Sequence, residues 1–149
     1  MSEFKEKIRK MEPICRARKV QLDLKTAELV KIRGQKAVKL DELSLNQQAY
    51  INGVHRLNEE RQSSDHRMLS ALEHSIDHVK SLWHKCLGEL RQIEEQERLQ
   101  LRQILVVQSE MKAAETLIER YQHQQQGLMK KREQKSSDEH ALRKFIQNG

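Results

Sequence analysis

Leu69, Ile76, Trp83, Leu90, Glu97, Ile104, Met111, Ile118, Gln125, Arg132, Glu139 and Ile146 stand seven residues apart. A second column runs beside the first: Leu72, Val79, Cys86, Ile93, Gln100, Val107, Ala114, Tyr121, Leu128, Lys135 and Leu142. Eight of the twelve and nine of the eleven are apolar, in a chain that is 36% apolar overall, so the pattern is not a product of composition. Columns three and four residues apart form an a/d seam along one helix face, with Glu, Gln, Lys and Arg solvating the others. The stretch reads as one coiled-coil helix of roughly 80 residues, about 120 Å at 1.5 Å per residue. So thin a helix has no core of its own and must lie against a partner.

The first sixty residues supply that partner within the chain. Every seventh residue from Ile8 reads Ile8, Cys15, Leu22, Leu29, Lys36, Leu43, Tyr50 and Leu57. The companion column is mixed and drifts from Met11 and Ile32 to Leu40 and Val54, which suggests a helix that curves or changes partner. Pro13 fits the first turn of this helix or a kink, with residues 3–12 free to fray. Between Leu57 and Leu69 the seam loses phase, and Ser63, Ser64 and Asp65 are natural N-caps for a second helix. A continuous helix with a skipped seam is the alternative. Because phase loss and capping residues coincide, a turn is expected.

The expected fold is therefore all-α: two long antiparallel helices forming a coiled-coil hairpin with unequal arms, in a single domain over 1–149. Helix 1 spans about 4–61, the turn about 62–64 and helix 2 about 65–146, on the seam register. Folding there sets Phe4 near Tyr121. The second arm overhangs beyond about residue 125, where its seam turns polar at Arg132, Lys135 and Glu139. Ser136–Glu139 either caps a short separate helix or lies within one helix. Cys15 would face about residue 111, close to 40 Å from Cys86, too far for an intramolecular disulfide.

Composition narrows the function classes. Charged residues make up 34% of the chain and aromatics 3%, with one proline, a balance typical of long helices. The longest apolar run, Ile104 to Val107, is far too short to span a membrane. The N-terminus lacks the apolar core of a secretory signal, so a cytoplasmic protein is expected. Glycine-rich phosphate loops, His-Glu-x-x-His and Cys-x-x-Cys are absent from the sequence, and no cofactor or enzymatic activity is expected. His74 and His78 share a helix face, but two histidines without further ligands do not make a metal site. Charge is segregated: residues 1–40 carry net +7, 41–128 net −4 and 129–149 net +3. In a hairpin both termini share one end, which becomes strongly basic. Nucleic acid is disfavoured as a partner, because stacking aromatics are scarce and the cations are interleaved with Glu and Asp.

Two stretches carry a family resemblance. Met68-Leu69-Ser70-Ala71-Leu72-Glu73-His74-Ser75-Ile76 is similar to a segment of the flagellar member reading aromatic-Ile-x-x-Leu-Glu-x-Ala-Ile. Lys131-Arg132-Glu133-Gln134-Lys135, followed by Asp138-Glu139-x-Ala141, is similar to the charged tail of secretion members. The chain thus resembles the YscO/FliJ family, stalk proteins of the bacterial type III secretion or flagellar export ATPase. The resemblance implies a non-enzymatic stalk at the cytoplasmic face of the export apparatus, and a hairpin whose partner helix lies in its own chain is expected to be a monomer. Its terminal end would enter a hexameric secretion ATPase. The helix 2 start would reach the cytoplasmic part of the membrane-embedded export gate, and secretion chaperones would be further partners. The residues expected at the ATPase are Arg9, Lys10, Arg16, Arg18 and Lys19, with Lys130, Lys131, Arg132, Lys135, Arg143 and Lys144. Those expected at the gate are Met68, Leu72 and Ser75. A generic homodimeric coiled-coil tether and a nucleic-acid-binding coiled coil are the competing readings.

Overall fold

A computed structural model describes residues 2–62 and 65–148. It is an all-α helical hairpin with two elements, α1 (Ser2–Glu60) and α2 (His66–Asn148), of 59 and 83 residues. The turn expected at 62–64 falls largely on Ser63 and Ser64, which lie outside the described residues. Asp65 supplies the cap: its Oδ1 accepts the backbone N–H groups of Arg67 at 3.1 Å and Met68 at 3.5 Å. Those amides belong to the first turn of α2 and have no carbonyl partner inside the helix.

The chain divides into two compact units, each made of one piece of α1 and one piece of α2. The first joins Met1–Leu24 to Ile104–Gly149. Here Phe4 meets Tyr121 at 6.3 Å between ring centroids, and Arg18 Nε reaches Glu110 at 3.0 Å, so the pieces run antiparallel. Lys7 places its ammonium 5.3 Å from the Tyr121 ring and 5.8 Å from that of Phe4, closing this layer with a cation over two aromatic faces. The seam continues to half-buried Gln125, and every residue from 126 to 148 is exposed. The helix is unbroken through Ser136–Glu139, so no separate terminal helix forms.

The second unit is Lys25–Gln103. Its seam buries Leu29 and Leu57 from α1 against Ile76, Cys86 and Leu90 from α2. Tyr50 packs against Trp83 at 5.6 Å, and Trp83 stacks on His84. The indole N–H of Trp83 is buried without an acceptor among the described residues. Two layers on, Gly53 lets the helices approach closely, since a Cβ there would sit 3.0 Å from Cγ1 of Ile76.

Helix α1 departs from the sequence expectation in two ways. It is helical through Pro13 to Ser2, with no frayed segment at 3–12. Pro13 is exposed, so the ring points away from the seam and its missing N–H costs one outward-facing backbone bond. The companion column drifts less than expected: Val54 is half-buried beside Gly53, but the shift to Leu40 does not occur. Met11, Arg18, Lys25, Ile32, Lys39, Asn46 and Gly53 keep the seven-residue spacing at half-buried positions, whereas Leu40 is exposed. Long basic side chains pack their methylene stems in the seam and carry their charged heads to its edge, so polar residues hold the register.

Gly34 and Gly53 separate helix propensity from packing. Gly34 faces open space, and Gly34→Ala is expected to stabilise the protein by about 1 kcal/mol through helix propensity. Gly53→Ala adds the same propensity but presses on Ile76, so it should gain little or destabilise. Urea midpoints measure both, and equal gains would show that α1 does not approach Ile76 this closely.

Candidate interaction surfaces

No group of three or more His, Cys, Asp or Glu among the described residues could hold a metal ion. The grooves are shallow and lie along the helices. One in the second unit, about 400 Å³, is lined by Glu28, Lys31, Ile32, Gln35, Gln96, Leu99 and Gln100. The surfaces with functional potential are therefore helix faces and ends.

Charge in the first unit is net +5, against net +1 in the second. The sequence-expected cations divide by position. Lys130, Lys131, Arg132, Lys135, Arg143 and Lys144 are all exposed on the overhang, where α2 has no α1 residue against it. Arg9, Lys10, Arg16 and Lys19 are exposed on α1. Arg18 differs: it is half-buried in the seam, bound to Glu110 and, through Nη1, to Gln21 Oε1 at 3.0 Å. It thus bridges the two helix pieces of the first unit while its side chain stays 40% exposed. The overhang also carries Leu142, Phe145 and Ile146, each more than half exposed.

At the start of α2, Met68 and Leu72 are half-buried while Ser75 is exposed. Spacings of four and three place them along one side of the first helical turns. Apolar surface remains accessible there, with Ser75 at its margin.

The second unit contains a polar layer that reading for apolar periodicity passes over. Glu97 occupies a seam position and accepts Lys36 Nζ at 3.1 Å and Arg33 Nε at 3.3 Å. Lys36 first, then Arg33, holds the Glu97 carboxyl below the usual carboxylate range. Gln100 is the buried polar residue of the seam. Its Nε2 donates to the Lys25 carbonyl oxygen at 3.0 Å and to Glu28 Oε2 at 3.4 Å. Lys25 Nζ donates to Gln103 Oε1 at 2.8 Å. A little further along, Lys39 bridges Glu89 and Glu42; these hydrogen bonds raise the Lys39 pKa and lower that of Glu89. Burial pushes the Cys86 thiol up, and its Sγ contacts the Lys39 carbonyl oxygen at 3.5 Å. A signal for this layer was available. The apolar columns of α2 fail at Glu97 and Gln100, and the α1 columns are basic at Lys25 and Lys36 on the facing stretch.

The geometry defines a helical hairpin with exposed helix faces and an overhanging end. The family model described as flagellar FliJ protein matches residues 7–149, and the chain belongs to that family. No curated protein and no solved structure matches the chain.

The Glu97 ion pairs give a pH dependence of defined sign. A carboxylate whose pKa is lowered by folding stabilises the folded state above its unfolded pKa and loses that contribution as pH falls. The melting temperature of the wild type should exceed that of Glu97→Gln at pH 7, and the gap should close as pH falls from about 5 to 3. Thermal melts followed by circular dichroism measure this. A gap independent of pH would show that the carboxylate charge is not what Glu97 contributes.

Proposed function

We propose that the chain is the non-enzymatic central stalk of a type III or flagellar export ATPase, acting in the bacterial cytoplasm at the face of the export apparatus. Membership of the FliJ family supports the export role. The observation that carries the finer reading is the overhang, residues 126–148, exposed at every position and bearing six Lys/Arg against three Asp/Glu. A helix of that length extends about 35 Å without a partner from its own chain. It suits insertion into a polar or acidic pore of a hexameric ATPase, with exposed Arg9, Lys10, Arg16 and Lys19 adding attraction from α1. Long-range attraction of this kind speeds docking and is screened over about 8 Å at physiological ionic strength.

In this reading Met68, Leu72 and Ser75 contact the cytoplasmic part of the export gate, secretion chaperones are further partners, and the 1–149 hairpin acts as one functional body. Helices locked by a seam transmit position or torque without chemistry of their own. A charged surface gives contacts that re-form as a ring turns around it.

Changing Lys130, Lys131 and Arg132 together to Gln should lower stimulation of the ATPase severalfold while leaving the melting temperature unchanged, since none of the three packs in the seam. In the same assay series, Met68→Ala with Leu72→Ala should weaken gate binding and spare helicity. Full stimulation by the triple variant at both low and physiological salt would leave the overhang a solvated tail. DNA binding lost in that variant would instead favour the nucleic-acid reading.

A further inference from the structure

Helix α1 of the second unit carries a second face that α2 does not cover. Ala27, Lys31, Gly34, Val38, Asp41 and Leu45 recur at alternating spacings of four and three, so they form a second seam on the outer side of the helix. All six are exposed; Lys31, at the margin of the face, also lines the groove it shares with Gln96 and Leu99 of α2. Val38 and Leu45 of the stripe are 58% and 71% exposed, open aliphatic surface on a face that carries few other apolar side chains. Gly34 has no heavy atom within 4 Å of where a Cβ would stand, so the stripe has an open notch at its middle.

The stripe is complementary to itself when it is reversed. About a twofold axis near residue 36, Gly34 of one copy faces Val38 of the other, Ala27 faces Leu45, and Lys31 faces Asp41, and each pairing occurs twice. Small residues meet large ones and opposite charges meet. Among the described residues neither Lys31 nor Asp41 makes an ion pair within its own chain. A parallel arrangement would set Lys31 against Lys31 and Asp41 against Asp41. We propose that this outer face of α1 is an antiparallel, isologous homodimer interface, occupied by the same face of a second copy of the chain.

Area sets its strength. From Ala27 to Leu45 the stripe is about 27 Å long and about 10 Å wide. That footprint is on the order of a third of the 800 Å² per partner of a standard stable interface. The pairing is therefore weak, so the chain is monomeric when dilute and self-associates where it is concentrated. The proposal does not depend on the stalk reading, because the face lies outside the overhang and the start of α2.

Sedimentation equilibrium of the full chain from about 5 to 300 µM tests it. The weight-average mass should rise from 17.7 kDa toward twice that value. Gly34→Glu fills the notch with a charge facing Val38, and should abolish the rise while keeping the melting temperature, since it also removes a glycine from a helix. Lys31→Asp and Asp41→Lys should each weaken association at least tenfold by setting like charges opposite each other. The double charge swap should return it to within about threefold of wild type. A monomer at every concentration would overturn the proposal and leave the face to a helix of another protein. Association unaffected by Gly34→Glu, or unrestored by the double swap, would also overturn it.

Discussion

Two helices side by side cannot enclose a side chain, and the rest of the structure follows from that limit. Even the best-buried seam residues, Val107 and Cys86, keep 4% and 5% of their surface, and no large side chain among the described residues is fully buried. Stability must come from a long repetition of half-buried layers, each contributing modestly, in a strict register. A slip of one position would move the whole apolar column off the facing helix. The polar layer around Glu97 and Gln100 is a means of preventing this. A buried amide and a paired carboxylate are satisfied in one register only, and misalignment would leave them without partners. Apolar contacts hold the helices together, and the polar layer specifies where.

The same limit explains why the ends and outer faces carry the functional potential. A seam two residues wide consumes one stripe of each helix and leaves most of the surface open. Where α2 outruns α1 even that stripe is released, and residues 126–148 become surface on every side. The seam becomes polar in the same stretch, at Arg132, Lys135 and Glu139, consistent with a segment selected for solvent or for a partner.

Much of this was legible in the sequence, because a seven-residue repeat is a long-range signal. The α2 column from Leu69 to Tyr121, the pairing of Phe4 with Tyr121 and the exposure of the chain after Gln125 all follow from the repeat plus one turn. The α1 companion column was misread for a physical reason. Counting apolar residues favoured Leu40 over Lys39, yet the methylene stem of a lysine fills a seam position as well as an aliphatic side chain can. Arg18 shows the same blindness in the charged surface: it looks like a free cation in sequence and is held across the seam by Glu110. The cations of the overhang were read correctly as exposed, since nothing on α1 reaches them.

In the proposed stalk reading, the unit that bears the overhang meets a ring of identical ATPase subunits. The stoichiometry of that meeting distinguishes a central stalk from any peripheral binder. Native mass measurement of the complex formed with the cognate export ATPase, in the presence of nucleotide, reads it directly. A central stalk predicts one copy of this chain per six ATPase subunits, with excess chain left unbound. Binding of several copies per hexamer, or no complex at all, would contradict the account.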